Sequence, residues 1–243
     1  MKYSFIIFTS ILFLFVSSCT KEVREISRPG EYSDVIFQYS TKVDLMNGEF
    51  EGNLTQAAML EKGDFGIGTF NGVDGEMVIY QGTVYRVSFE GPVLPASEEL
   101  LIPFVMVKKF MEDKSVEVNY TVSADSLKKD LLRILEEKDE LVAIRIHGNF
   151  SRVKARSVPK QTPPYPSIAA VVELQSVFDF ENVTGDIIGF WLPEKFDNIN
   201  FPGFHFHFLG DNKDIGGHAL DFELTEGVIS FDFSSKLEIS LIE

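Results

Sequence analysis

The sequence predicts a mostly-β chain of the α+β class with one or two helices. Short apolar stretches, separated by Gly, Asn and Asp, recur from residue 34 to the C-terminus. Only residues 124–138 (ADSLKKDLLRILEEK) carry leucines at strong helical spacing, at Leu127, Leu131, Leu132 and Leu135. The chain has 243 residues, 44% hydrophobic and 24% charged, which is the composition of a globular protein able to bury a core.

Taken in order, residues 1–18 hold one early Lys and an apolar run too short for a comfortable membrane span, and they read as a secretory leader. The lone cysteine, Cys19, follows Val16-Ser17-Ser18, which resembles a bacterial lipobox, so Cys19 is the expected lipidation site of an exported, membrane-anchored lipoprotein. One cysteine excludes an internal disulfide. Residues 19–33 are polar, contain Pro29-Gly30 and read as a tether. The folded domain is expected over residues 34–243. Residues 34–40 read as a strand, and residues 53–62 as a short helix capped by Asn53 or Thr55 and stopped by Gly63. Short strands follow around 65–70, 76–80 and 83–87. After the long helix, capped by Ser123 or Asp125, strands are expected at 142–150, 153–158, 171–178, 186–191, 204–209, 217–223, 228–233 and 237–242. PKQTPPYP, residues 159–166, is a stiff extended connection, and a domain boundary is expected near 140–165. No internal repeat or low-complexity segment is visible.

The net charge is −15, with 22 basic residues against 37 acidic ones. Binding a phosphate backbone needs clustered Lys and Arg, so nucleic acid is not an expected partner. FGIG and DGE read as turn glycines, because no P-loop Lys-Ser/Thr follows them.

The chemistry concentrates in FPGFHFHFLGDNKDIGGHALD, residues 201–221, which holds three of the four histidines. Side chains alternate along a strand, so Phe204, Phe206 and Phe208 share one face and His205 and His207 the other, about 6.5–7 Å apart. The Gly/Asn/Asp-rich segment after them reads as a hairpin turn whose returning strand can bring His218 beside the pair. Three imidazoles suit Zn²⁺ or a similar divalent ion, and three protein ligands leave a coordination position open. The alternative is a half-exposed hairpin with polar faces. On residue type alone, Glu76 reads as a solvated turn carboxylate, Arg156 as a surface ion-pair residue and Thr69 as a strand former. His147, the fourth histidine, has no assigned role.

GFHFHFLGDNKDIGGHALD resembles the metal-binding segment of the α-acetolactate decarboxylase family. GDFGIGTFNGVDGEMVIYQGTVYRV (63–87), RIHGNFSRVKARSVPKQTPPYP (145–166) and GFWLPEKF (189–196) resemble that family as well, and together the matches span about residues 35–240. The resemblance implies a zinc enzyme that converts α-acetolactate to acetoin and CO₂. It implies metal ligands at His205, His207 and His218, catalytic residues at Glu76 and Arg156, and a substrate contact at Thr69. It implies two packed sheet-based subdomains, mixed or barrel-like, and a homodimer. At the C-terminus the sequence departs from the family's pattern. A second site carboxylate is implied there, and only Glu243 stands as a remote candidate.

These residues suit the reaction. Losing CO₂ leaves electrons that must be held as an enediolate, and a divalent ion on the vicinal oxygens can stabilise that charge. Glu76 would relay a proton, and the planar fork of Arg156 would grip the substrate's oxygens. Two other readings stand beside this one. A cupin-like metalloenzyme would use the H-x-H pair with Asp211, although the cupin pattern spaces its last histidine further along. A non-catalytic extracytoplasmic protein would bind a metal or a hydroxy acid without turnover.

Overall fold

The computed structural model describes residues 23–25, 34–135 and 140–242. The leader, Cys19 and Glu243 lie outside the described residues. The chain runs through β1 (Val23–Glu25), β2 (Val35–Tyr39), α1 (Lys42–Met46), α2 (Gln56–Lys62), β3 (Phe65–Thr69), β4 (Glu76–Tyr80), β5 (Thr83–Val87), β6 (Val93–Pro95), β7 (Phe104–Lys108), β8 (Lys114–Val118) and β9 (Val122–Ser123). It continues through α3 (Ala124–Leu135), β10 (Leu141–Ser157), α4 (Ile168–Glu173), β11 (Ser176–Leu192), β12 (Gly203–Gly210), β13 (Gly216–Ser234) and β14 (Lys236–Ser240). The mostly-β α+β architecture stands, with two short helices, α1 and α4, beyond those expected.

The strands form two seven-stranded sheets. The first has the order β14-β2-β7-β3-β4-β5-β6, with β14 parallel to β2 and the other pairs antiparallel. The second has the order β1-β8-β13-β10-β11-β12, with β9 pairing β13 off this path, and β12 also pairs with β13. That last pairing closes β13-β10-β11-β12 into a ring, which gives this half its barrel-like curl. β1 comes from the segment read as a tether and pairs with β8.

Hydrophobic clusters hold the layers. Inside the curl, Phe206, Phe208, Phe222, Phe231 and Ile144 pack under Leu127, Leu131 and Leu135 of α3, the apolar stripe legible at helical spacing. Between the sheets lie Ile67, Val78, Met106, Ile188, Phe190 and Leu209. On the outer face of the first sheet, α2 buries Met59 over Phe70, Met77 and Val105. The first sheet is thus covered on both faces, which explains why β3 and β7 are buried at every position rather than alternating.

Local chemistry sets the helix starts. Thr55 caps α2 by accepting from the Ala58 amide, and Ser167 does the same for α4 with Ala170. The strand expected at 171–178 is corrected: residues 168–173 are helical, and β11 begins only at Ser176. The expected pairs of strands at 142–150 with 153–158, and at 217–223 with 228–233, are single long strands. Each is interrupted by register shifts rather than by turns.

Candidate active site

β12 and β13 form the hairpin read from the sequence, and His207 lies directly across from His218. Arg156 of β10 lies across from His218 on its other side. Cross-strand partners share a face, so these three side chains emerge together. His205, two residues from His207, joins them. The imidazole centroids lie 5.4 Å (205–207), 5.0 Å (205–218) and 5.2 Å (207–218) apart. One nitrogen from each falls within 4.8 Å of the others, close enough to share an ion.

An irregularity puts His218 on this face. Phe222 and Leu224 point into the curl, and strict alternation would send Leu220 and His218 the same way. Register jumps between Lys154 and Ala155, from Asp221 to Ala219, leaving Leu220 as an extra residue. The bulge flips the parity, so Ala219 packs on the core and His218 turns outward. Gly217, at φ +137°, makes the adjoining bend, and a Cβ there would stand 2.5 Å from the Arg156 carbonyl oxygen.

The other wall comes from the first sheet. Glu76 opens β4 with its carboxyl oxygen 3.5 Å from His207 Nε2. The His207 Nδ1–H donates to the Met77 carbonyl at 2.8 Å, which leaves Nε2 as the lone-pair nitrogen facing the cavity. The Thr69 hydroxyl donates to the Gly75 carbonyl at 2.7 Å and so fixes the turn that delivers Glu76. Ser157, next to Arg156, donates to the Val87 carbonyl at 2.9 Å and ties the two sheets beside the site. The Arg156 Nη1–H donates to Gln175 Oε1 at 3.2 Å, while its buried Nε has no partner within the protein.

Burial governs the charges. It pushes the Glu76 carboxyl up to about 7, against the opposing pull of Arg156. Burial, with Arg156 adding repulsion, holds His205 down at about 4. His207 and His218 lie well below the ordinary imidazole value, again through burial first and neighbouring imidazoles second. All three histidines are therefore neutral at pH 7, the form that ligates a metal. The donor set, its spacing and its protonation fit a divalent ion.

The cavity has a volume of about 340 Å³. Thr69, Glu76, Arg156 and the three histidines make its polar side. Leu45, Val73, Phe104, Val158, Val172 and Phe201 are among the apolar residues opposite. The structure thus brings every expected site residue except Cys19 and Glu243 into one cavity. Residue type gave no sign of Gln175 or of the apolar wall: Leu45 and Val172 come from α1 and α4, neither of them expected as helices, and Gln175 follows α4. His147 belongs elsewhere, with Asp186 at 3.1 Å and Asp211 at 4.0 Å. Arg145 at 2.8 Å and Lys213 at 3.9 Å already balance Asp186, so that group reads as an ion-pair network around a buried carboxylate. Asp211, the carboxylate a cupin-like site would need, is therefore engaged away from the histidine triad.

Fold and cavity place the molecule among small-molecule enzymes built around a histidine metal-binding group. Comparison with known proteins narrows that class: the family model for alpha-acetolactate decarboxylase matches residues 36–243, and the chain belongs to this family. The alpha-acetolactate decarboxylase of Methanosarcina mazei is 40% identical over 203 residues, covering 84% of this chain and 70% of that protein. The Bacillus licheniformis enzyme of the same name is 35% identical over 208 residues, covering 86% and 81%. The crystal structure of the Bacillus subtilis strain 168 alpha-acetolactate decarboxylase superposes with a TM-score of 0.84 at 31% identity, covering 86% of this chain and 89% of that one.

Proposed function

We propose that this protein decarboxylates α-acetolactate to acetoin and CO₂, with Zn²⁺ held by His205, His207 and His218. The observation that carries the reading is the convergence of three neutral imidazoles, the Glu76 carboxyl and the Arg156 fork on one cavity, in a member of this family. Bound zinc would act as a Lewis acid, polarising the substrate's vicinal oxygens and stabilising the negative charge left as CO₂ departs. Arg156 receives the substrate carboxylate on its unpartnered Nε edge, while Gln175 holds the other side of the fork. The apolar wall strips water from the reacting carbon. The C–C bond to the carboxylate breaks, and its electron pair stays on the carbinol carbon. Glu76 then gives that carbon a proton and regains one from solvent, so that one substrate anion and one proton yield acetoin and CO₂. Thr69 keeps the Glu76 turn in place.

The test is acetoin and CO₂ release from racemic α-acetolactate by the purified protein, measured against the spontaneous rate. His205→Ala should abolish the enzymatic excess and the bound metal together. Full activity in that variant would overturn the site assignment. We also propose that Cys19 is lipidated and anchors the mature protein in the cell envelope. Mass spectrometry of the N-terminal peptide checks this, and an intact Met1 would contradict it.

A further inference from the structure

Val73 stands in the turn between β3 and Glu76 with φ +49°, in the left-handed region. A β-branched side chain is strained there, and glycine or asparagine is the usual occupant. Gly72 and Gly75 on either side have φ of +75° and +80°, so the turn uses glycine where backbone alone matters. Residue 73 instead carries an isopropyl group that is only 2% exposed, packs with Leu45, Phe104 and Val158, and lines the cavity. Clamps from outside hold the strained turn. Thr69 donates to the Gly75 carbonyl at 2.7 Å, Arg86 Nε to the Asp74 carbonyl at 3.1 Å, and the Gln161 amide to the Gly72 carbonyl at 2.7 Å.

We infer that Val73 is a specificity-determining residue: its isopropyl group is the wall against which the alkyl substituent on the substrate's carbinol carbon rests, and it sets the size of that substituent. The inference rests on the decarboxylase reading of the same cavity. A 2-hydroxy acid that turns its oxygens to the histidines and Arg156 must turn its alkyl group to the apolar side. Of the apolar residues lining the cavity, Val73 stands nearest in sequence to Glu76, three positions away. Strain is tolerated at functional positions where the side chain it presents is needed. Trimming Val73 opens room for one more methylene, and enlarging it removes room. One methylene in an apolar pocket changes relative rates by roughly 10–200-fold.

The experiment compares kcat/KM for α-acetolactate and its 2-ethyl homologue in wild type, Val73→Ala and Val73→Leu, with the melting temperature as a control on folding. The expected result is a ratio shifted about tenfold toward the ethyl substrate in Val73→Ala and toward the methyl substrate in Val73→Leu. A residue that only fills the core would lower both substrates alike, leave the ratio unmoved in both variants and overturn the inference. A calorimetric arm measures binding of 2-hydroxy-2-methylpropanoate and 2-ethyl-2-hydroxybutanoate to the same three proteins. If wild type releases no acetoin yet the binding ratio follows residue 73, the decarboxylase reading fails while the wall stands. If neither acid binds and nothing turns over, both are overturned.

Discussion

Burial keeps the Glu76 carboxyl near neutrality in its pKa while leaving it in reach of His207 Nε2. Removing its proton without changing its shape is the sharpest probe of its role. Glu76→Gln should keep metal stoichiometry and KM near wild type and lower kcat by about 10²–10⁴-fold, the usual worth of a general acid. Unchanged kcat would remove Glu76 from the mechanism. Arg156 makes a separable contribution. Arg156→Lys keeps the charge but loses the fork, and should raise KM with little change in bound metal. Gln175→Leu should shift KM in the same direction more weakly, since it frees the guanidinium without removing it. A KM unchanged in both variants would contradict substrate binding by Arg156.

The β12–β13 hairpin shows what the sequence could and could not disclose. FHFHFL was legible because strand periodicity is two: the phenylalanines went to the core and His205 and His207 to the cavity. His218 was legible as a neighbour but not in its direction, because the bulge at Leu220 that turns it outward leaves no mark in composition. Glu76 and Thr69 reached the site from the other sheet, a contact over more than a hundred residues that only the family resemblance signalled. The IAAVVE run of α4 reads as strand or helix alike by apolar content, and the informative residue was its cap, Ser167. The bend at Gly217 gives a test of the hairpin itself. Gly217→Ala would drive a methyl into the Arg156 carbonyl at a φ that alanine avoids. It should lower the melting temperature and weaken zinc binding by about 10–100-fold, in the range of lost supporting contacts at metal sites. Wild-type zinc affinity in that variant would show that the bend does not position His218.

The two sheets must stay in register for Glu76 to meet the histidines, and a buried ion pair helps hold them. Lys108 of β7 lies 3.0 Å from Asp232 of β13, both side chains 1% exposed. Lys108 also donates to the Phe233 carbonyl at 3.3 Å, and the Asp232 carboxylate accepts from the Met111 amide at 2.7 Å. Lys108→Met removes the buried carboxylate's ion-pair partner and should cost about 3–5 kcal/mol in denaturant unfolding. Adding Asp232→Asn should recover part of that loss. Burial raises the Asp232 carboxyl from 3.8 to about 6, outweighing the pull of Lys108. Between those values the folded protein binds more protons than the unfolded chain, so this group's contribution falls as pH rises through the window and is level above about 6. The stability of wild type relative to Asp232→Asn should therefore increase as pH is lowered from 6 to 4. A difference independent of pH would contradict the raised carboxyl.

The proposed function is release of CO₂ from α-acetolactate in a metal-loaded cavity. Acetoin formation should be followed in the purified protein as isolated, after chelation, and during titration with Zn²⁺. The expected result is loss of the enzymatic rate on chelation and its return at one equivalent of zinc per chain. Acetoin formation that survives complete metal removal, or zinc binding with no acetoin above the spontaneous rate, would contradict it.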